Sequence, residues 1–396
     1  MRNGVFRMSR WYSVATMKIN LLFVVTLFIS PIAFAETQEP SLPQTPHSLN
    51  RVTSDWKAYG YVDGSYNYLM RSNQFTSGSF NRTYDLNPDG ITLHQASFTL
   101  AYQPKEGFGA LINPILGKDT FIFAPYGWDP SLGIEQAGFA IPQGYLQYAH
   151  DSLTIIGGLF NTLAGNEYLD PTKDTNFSRS ILWQYEPTTH LGVRSSYAVN
   201  EQLNLIAGVN NGWDSIRDTS RRKTVELSVA YTPNSIFSLA VVGYSGEQRA
   251  ADRTDFGPES TRNLLDLIAT INATEKLTFI ANYDYGAQSK STLPDGTIGH
   301  SIWQGFAGYV NYKFNEKWRT SLRGEIFDDT NGYRTGVVQQ WKEATLTIGY
   351  AVLSNFELRA EARHDFSNVD SFLKANGRGT SNNQQSFAIE GVAKFL

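Results

Sequence analysis

Cysteine is absent from all 396 residues, so neither a disulfide nor a thiolate-held metal supports the fold. Long apolar runs are scarce as well. The longest, Ile19 to Ile29, is about a dozen residues, whereas a membrane-crossing helix needs about 20. Met17-Lys18 precedes that run and Ala33-Phe34-Ala35 follows it, the small-x-small pattern at which a signal peptidase cuts. Residues 1–35 therefore read as a cleaved export signal, not as an anchor. Positive charge is also in deficit: losing Arg2, Arg7, Arg10 and Lys18 with the signal takes the net charge from −4 to −8, which excludes nucleic acid as an expected partner. No segment of useful length has a helical apolar period.

What the chain does have is alternation. Residues 36–54 are polar, carry Pro40, Pro43 and Pro46, and read as a flexible periplasmic leader. From 55 to 396 the pattern changes. In Asn263 to Gly286, Leu265, Leu267, Ala269 and Ile271 alternate with Asp266, Thr270 and Asn272; Leu277, Phe279, Ala281, Tyr283 and Tyr285 then alternate with Thr278, Asn282 and Asp284. Successive strand side chains point to opposite faces, so each arm is a two-faced strand and the link at Ala273 to Lys276 makes a hairpin. Ile268 and Ile280 break the pattern and are expected to pack under an inward-folded loop. Similar strands recur, among them Trp56–Leu69, Ile302–Phe314, Trp318–Phe327, Trp341–Ala351, Phe356–Asp365 and Ser386–Phe395.

About sixteen strands result, and their connections alternate short and long. That rhythm predicts an all-β transmembrane up-and-down antiparallel barrel, with short periplasmic turns, long extracellular loops and both termini periplasmic. A soluble sandwich shows the same alternation. Two features favour the membrane. Aromatics gather at strand ends on the apolar parity: Trp56, Tyr102, Tyr231, Trp318, Tyr350 and Phe356 near short turns, and Tyr66, Tyr68, Tyr283 and Tyr285 near long ones. Charges keep to the other parity, as they must when an Arg or Lys facing lipid costs about 2–4 kcal/mol at the midplane.

Those charges are the expected pore lining: Arg319, Arg323, Glu325, Glu357 and Arg359, with Glu361, Arg363, Asp266 and Asp284. Their density predicts a wet interior, and their mixed sign a field that orients dipolar solutes such as sugars or zwitterions. The longest connection, Asn161 to Thr189, is the expected constriction loop. Its Glu167, Asp170 and Asp174 are expected to face the basic wall, with Lys173 and Arg179 as anchors. Lys118 to Ala140, with Tyr126 and Trp128, is the alternative. Phe387, Ile389, Ala393 and Phe395 hold the outward parity that the barrel-assembly machinery reads, although the chain ends one residue later, at Leu396.

The tracts GKDTFIFAPYGWDP (Gly117 to Pro130), GGLFNTLAGNEYLDP (Gly157 to Pro171), NFSRSILW (Asn176 to Trp183), HLGVRSSY (His190 to Tyr197) and NNGWD (Asn210 to Asp214) resemble the OmpL-like β-barrel porin family. That resemblance implies a channel for small hydrophilic solutes in the outer membrane of a Gram-negative bacterium, among lipid and lipopolysaccharide. Sixteen-stranded porins are often trimers, so a homotrimer is an expected assembly. Asp170 with Asp174, and Asp328 to Gly332, offer oxygen ligands without EF-hand spacing and read as loop residues. None of the six histidines has a neighbouring serine motif. No metal, cofactor or enzymatic activity is expected. The competing function is a non-conducting structural or adhesive barrel that acts through its loops.

Overall fold

A computed structural model describes residues 53–69, 82–85, 90–123, 125, 138–217, 222–249, 259–373 and 379–395. The export signal, almost all of the leader, Tyr126, Trp128 and Leu396 lie outside the described residues. Sixteen strands close one antiparallel barrel in which each pairs with its neighbours in sequence and the last returns to the first. They are β1 (Thr53–Leu69), β2 (Gly90–Gln103), β3 (Gly107–Leu116), β4 (Phe139–His150), β5 (Leu153–Asn161), β6 (Thr189–Ala198), β7 (Leu203–Asn210) and β8 (Thr224–Tyr231). The second half comprises β9 (Phe237–Arg249), β10 (Glu259–Asn272), β11 (Leu277–Thr292), β12 (Ile298–Lys313), β13 (Trp318–Asp329), β14 (Gln339–Leu353), β15 (Phe356–Ser367) and β16 (Asn383–Phe395). Closure runs through Gly60 opposite Phe395 and Tyr68 opposite Phe387, so among the described residues the barrel has no open strand edge.

One local device builds four of the short turns. The side-chain oxygen of Asn200 accepts from the N–H groups of Gln202 and Leu203, at 2.9 Å each. Asn234 does the same for Ile236 and Phe237, and Asn315 for Lys317 and Trp318. Thr274 substitutes a hydroxyl in the Ala273–Lys276 turn. A short polar side chain that bonds to the backbone two and three residues on reverses the chain within a few residues, which is why these positions are Asn or Thr.

Several strands run further than the sequence pattern predicts, most of them toward the long loops. The clearest cases are β11, which continues past Gly286 to Thr292, and β12, which begins at Ile298 and not Ile302. Lipid enforces apolar alternation only within its own thickness, while the backbone ladder continues into water with Ser289 and Lys290 exposed.

The outer face is as expected. Leu265, Phe279, Leu322, Leu346, Ile348, Phe387 and Ile389 are exposed, and Trp56 stacks on Tyr102 at 5.3 Å at the short-turn rim. The interior is not. Instead of an open wet lumen, the barrel holds an apolar core that includes Leu182, Tyr185, Ile206, Trp213, Val242, Tyr244, Leu264, Trp303, Phe327, Trp341 and Phe372, all buried. Ile268 is 1% exposed and points into the barrel interior, and Ile280 packs against this core. The two residues that broke the hairpin pattern are thus interior packing residues.

Candidate functional site

What fills the barrel is the connection between β5 and β6, residues 162–188. It contains a 3₁₀ turn, Pro171–Lys173, capped by Asp170, and a short helix, Ile181–Tyr185, whose N-cap Ser180 accepts from the Trp183 N–H at 3.1 Å. A segment without long ladders has backbone groups to satisfy, and inside a barrel water cannot serve them all. Wall side chains do so. On β9 to β11, the Tyr244 hydroxyl accepts from Leu163 N–H at 2.9 Å, Asp266 from Gly165 N–H at 2.8 Å and Asn282 from Asn166 N–H at 2.8 Å. On β15, Glu361 accepts from both Phe177 and Ser178 N–H, at 2.7 and 3.0 Å. On β13, Glu325 accepts from Ile181 and Leu182 N–H, each at 2.7 Å.

The arginines serve the carbonyls. Arg319 donates to Thr175 O and Arg323 to Ser178 O, both at 2.7 Å, while Arg359 donates to Pro171 O at 3.1 Å and Arg363 to Arg179 O at 2.6 Å. Each also holds a carboxylate: Arg319 with Glu357 at 2.7 Å, Arg323 with Glu343 and Glu167 at 2.7 Å, Arg359 with Glu390 at 3.1 Å, and Arg363 with Asp365 at 2.7 Å. Charge-assisted bonds of this kind are about twice as strong as neutral ones and tolerate little displacement. Apolar packing completes the docking, with Tyr185 stacked on Phe327 at 4.8 Å.

A model of the family described as "Putative beta-barrel porin-2, OmpL-like" matches residues 56–395. The chain belongs to the OmpL-like β-barrel porin family. Comparison with curated protein sequences finds no match. Among solved structures, this porin is similar to the outer-membrane channel DcaP of Acinetobacter baumannii (TM-score 0.59, 14% identity, covering 86% of this chain and 97% of that one). It is also similar to the trimer form of OmpT of Vibrio cholerae (0.57, 11%, 86% and 99%) and to the anion-selective porin from Comamonas acidovorans (0.56, 11%, 86% and 99%). At these identities the likeness establishes the fold. Family and fold together make the protein an outer-membrane barrel of a Gram-negative bacterium.

In this porin every predicted wall charge does face inward, but the expected water is largely replaced by the segment's backbone. Arg323, Glu325, Arg359, Glu361, Arg363, Asp266 and Asp284 are all buried, and only Arg319 and Glu357 stay partly exposed. Glu167 meets the basic wall as expected, through Arg323. Its neighbours behave differently. Asp170 accepts from Thr172 N–H in its own turn, Lys173 is exposed over the Tyr168 ring, and Arg179 pairs with Asp174 within the segment at 3.0 Å. Burial outweighs Arg179 and pushes the Asp174 carboxyl up to about 7, with Glu167 adding to the rise. Burial likewise raises Glu186, the residue after the short helix. Asp329 accepts from Arg334 and Thr335 N–H, which makes Asp328 to Gly332 an ordinary loop turn.

Sequence reasoning missed Glu343 and Glu390, although both lie on the inward parity of their strands and the same rule would have found them. It also missed a contact no spacing reveals: Ser65 Oγ lies 2.7 Å from His94 Nε2, and His94 Nδ1 lies 2.8 Å from Asp119 Oδ1. The heavy atoms follow a Ser–His–Asp relay, but Ser65 and His94 are 5% and 2% exposed, and the Phe177 ring of the segment lies edge-on to His94 at 5.4 Å. Below the segment, at the short-turn end, a cavity of about 430 Å³ opens among residues that include Lys173, Thr270, Asn272, Asn311 and Lys394.

Proposed function

We propose that this porin passes small hydrophilic solutes by diffusion and that the docked segment 162–188 is its constriction. The observation that carries the reading is the polar cavity at the short-turn end, which stops at the segment. The mixed signs of Lys173, Lys394, Arg319 and Glu357 at that end favour dipolar solutes such as sugars or zwitterions over ions of one charge. Diffusion requires no covalent chemistry, and we read the Ser65–His94–Asp119 relay as a polar strut. Fluorophosphonate is expected to leave Ser65 of the refolded barrel unlabelled; labelling there would point to a hydrolase. A homotrimer is the proposed assembly, in keeping with the trimer form of the Vibrio cholerae relative.

The tight filling of the interior favours a second reading, a non-conducting barrel that acts through its loops. Planar-bilayer recording separates the two. Thr175 Oγ1 and Ser321 Oγ lie 3.1 Å apart, one on the segment and one on β13, and the chain contains no cysteine of its own. T175C/S321C can therefore lock the segment to the wall. Wild type is expected to give conductance steps as the segment moves off the wall, and the oxidised variant, held docked, to be silent until a reductant restores them. If neither wild type nor the reduced variant conducts, the second reading holds.

A further inference from the structure

Three carboxylates meet inside the barrel with no cation beside them. Asp266 and Asp284 are register partners on β10 and β11, and Glu186 brings a third from the segment. One carboxylate oxygen from each lies within 4.8 Å of the others. The three residues are 0%, 1% and 4% exposed. Among the described residues no Lys, Arg or His pairs with any of them, and both oxygens of Glu186 lack a hydrogen-bond donor. Directly opposed like charges destabilise a ladder, and a dry site makes their repulsion stronger.

The site is also shaped for this arrangement. Gly165 sits at φ +85°, and a Cβ there would stand 1.9 Å from Glu186 Oε2, so a glycine is what lets that carboxylate lie where it does. The Gly165 N–H is spent on Asp266, leaving Glu186 pointing at the two aspartates with nothing to bind.

We propose that Glu186, Asp266 and Asp284 bind a divalent cation, calcium by preference, which fastens the segment to the β10–β11 wall. All the donors are oxygens, which select a hard cation over zinc or copper. Ligands held about 2.3–2.6 Å from one calcium ion lie at most about 5 Å apart, and this cluster fits within that span. Magnesium retains its own water shell more firmly and suits a dry three-carboxylate site less well. The ion ties down the segment beyond its short helix, while Asp266 already holds its beginning at Gly165.

The test does not depend on conduction. Protein refolded into detergent free of lipopolysaccharide is stripped with EDTA, incubated with calcium, gel-filtered and analysed for metal. Wild type is expected to retain about one calcium per chain, and D284N and E186Q to retain less than about a tenth of that. Heat-modifiable migration on a gel shows that each variant is folded. Wild type that retains no calcium, or a folded variant that retains as much as wild type, overturns the proposal and leaves protons as the neutralising charge. Should neither variant fold, the wild-type stoichiometry alone decides.

Discussion

Arg323 has no exposed surface, and three oxygens lie 2.7 Å from its guanidinium: Glu343 Oε1, Glu167 Oε1 and Ser178 O. The first is on the next strand and the other two are on the segment, so one side chain joins two parts of the molecule. Truncating it leaves two buried carboxylates without their partner, and breaking a buried pair from one side costs about 3–5 kcal/mol. Arg323→Met is therefore expected to lower the urea midpoint of the refolded barrel by a corresponding amount. An unchanged midpoint would mean that Glu343 and Glu167 find other partners. His150→Ala is the control, since His150 and Glu106 share a solvent-exposed hydrogen bond of 3.0 Å at the short-turn rim and its loss should leave the midpoint where it was.

The segment 162–188 is the element on which sequence and structure diverge most. Its role as the long inward connection was legible from its length and its charges, which favoured it over Lys118 to Ala140. The strands were legible too, since a period of two needs only local sequence. What was not legible is the filling. Parity tells which face Glu325 and Glu361 occupy, but not that their partners are the backbone N–H groups of Ile181, Leu182, Phe177 and Ser178, which carry no side-chain signature. Ile268 and Ile280 were a local hint of an apolar interior, and Phe327, on the same parity as Arg323 and Glu325, was another.

The same element carries a pH dependence. Asp174 has a pKa of about 7 in the docked segment against a reference of 3.8, chiefly through burial. The docked state therefore holds the proton more tightly, and this group's contribution to docking is complete below about pH 4 and is lost as pH rises through about 7. Conductance is expected to be lower at pH 5 than at pH 8, with D174N flattening that difference. A D174N protein with the wild-type profile would move the titration to another group.

At the scale of the whole molecule the barrel separates three environments: lipid outside, a polar vestibule at one end, and a filled interior between. Strand count, closure and outward face were all readable from alternation and loop rhythm. The filled interior was not, because it depends on contacts between residues far apart in sequence: Leu163 with Tyr244 is 81 residues apart, Gly165 with Asp266 is 101, and Pro171 with Arg359 is 188.

Those separations impose an order in time. The segment lies between β5 and β6, and although Gln95 on β2 donates to Leu169 O, most of its hydrogen-bond partners lie on strands β9 to β15, so its docking cannot be complete until the C-terminal half of the chain has paired. In refolding from urea, strand formation followed by far-UV circular dichroism is expected to precede the near-UV signal of the enclosed aromatics. Simultaneous appearance of the two signals would mean that the segment guides the closing strands instead of waiting for them. Either way, a chain interrupted after β8 would carry an unsatisfied backbone and a row of apolar side chains with nowhere to go, which makes the late strands guardians of the early ones.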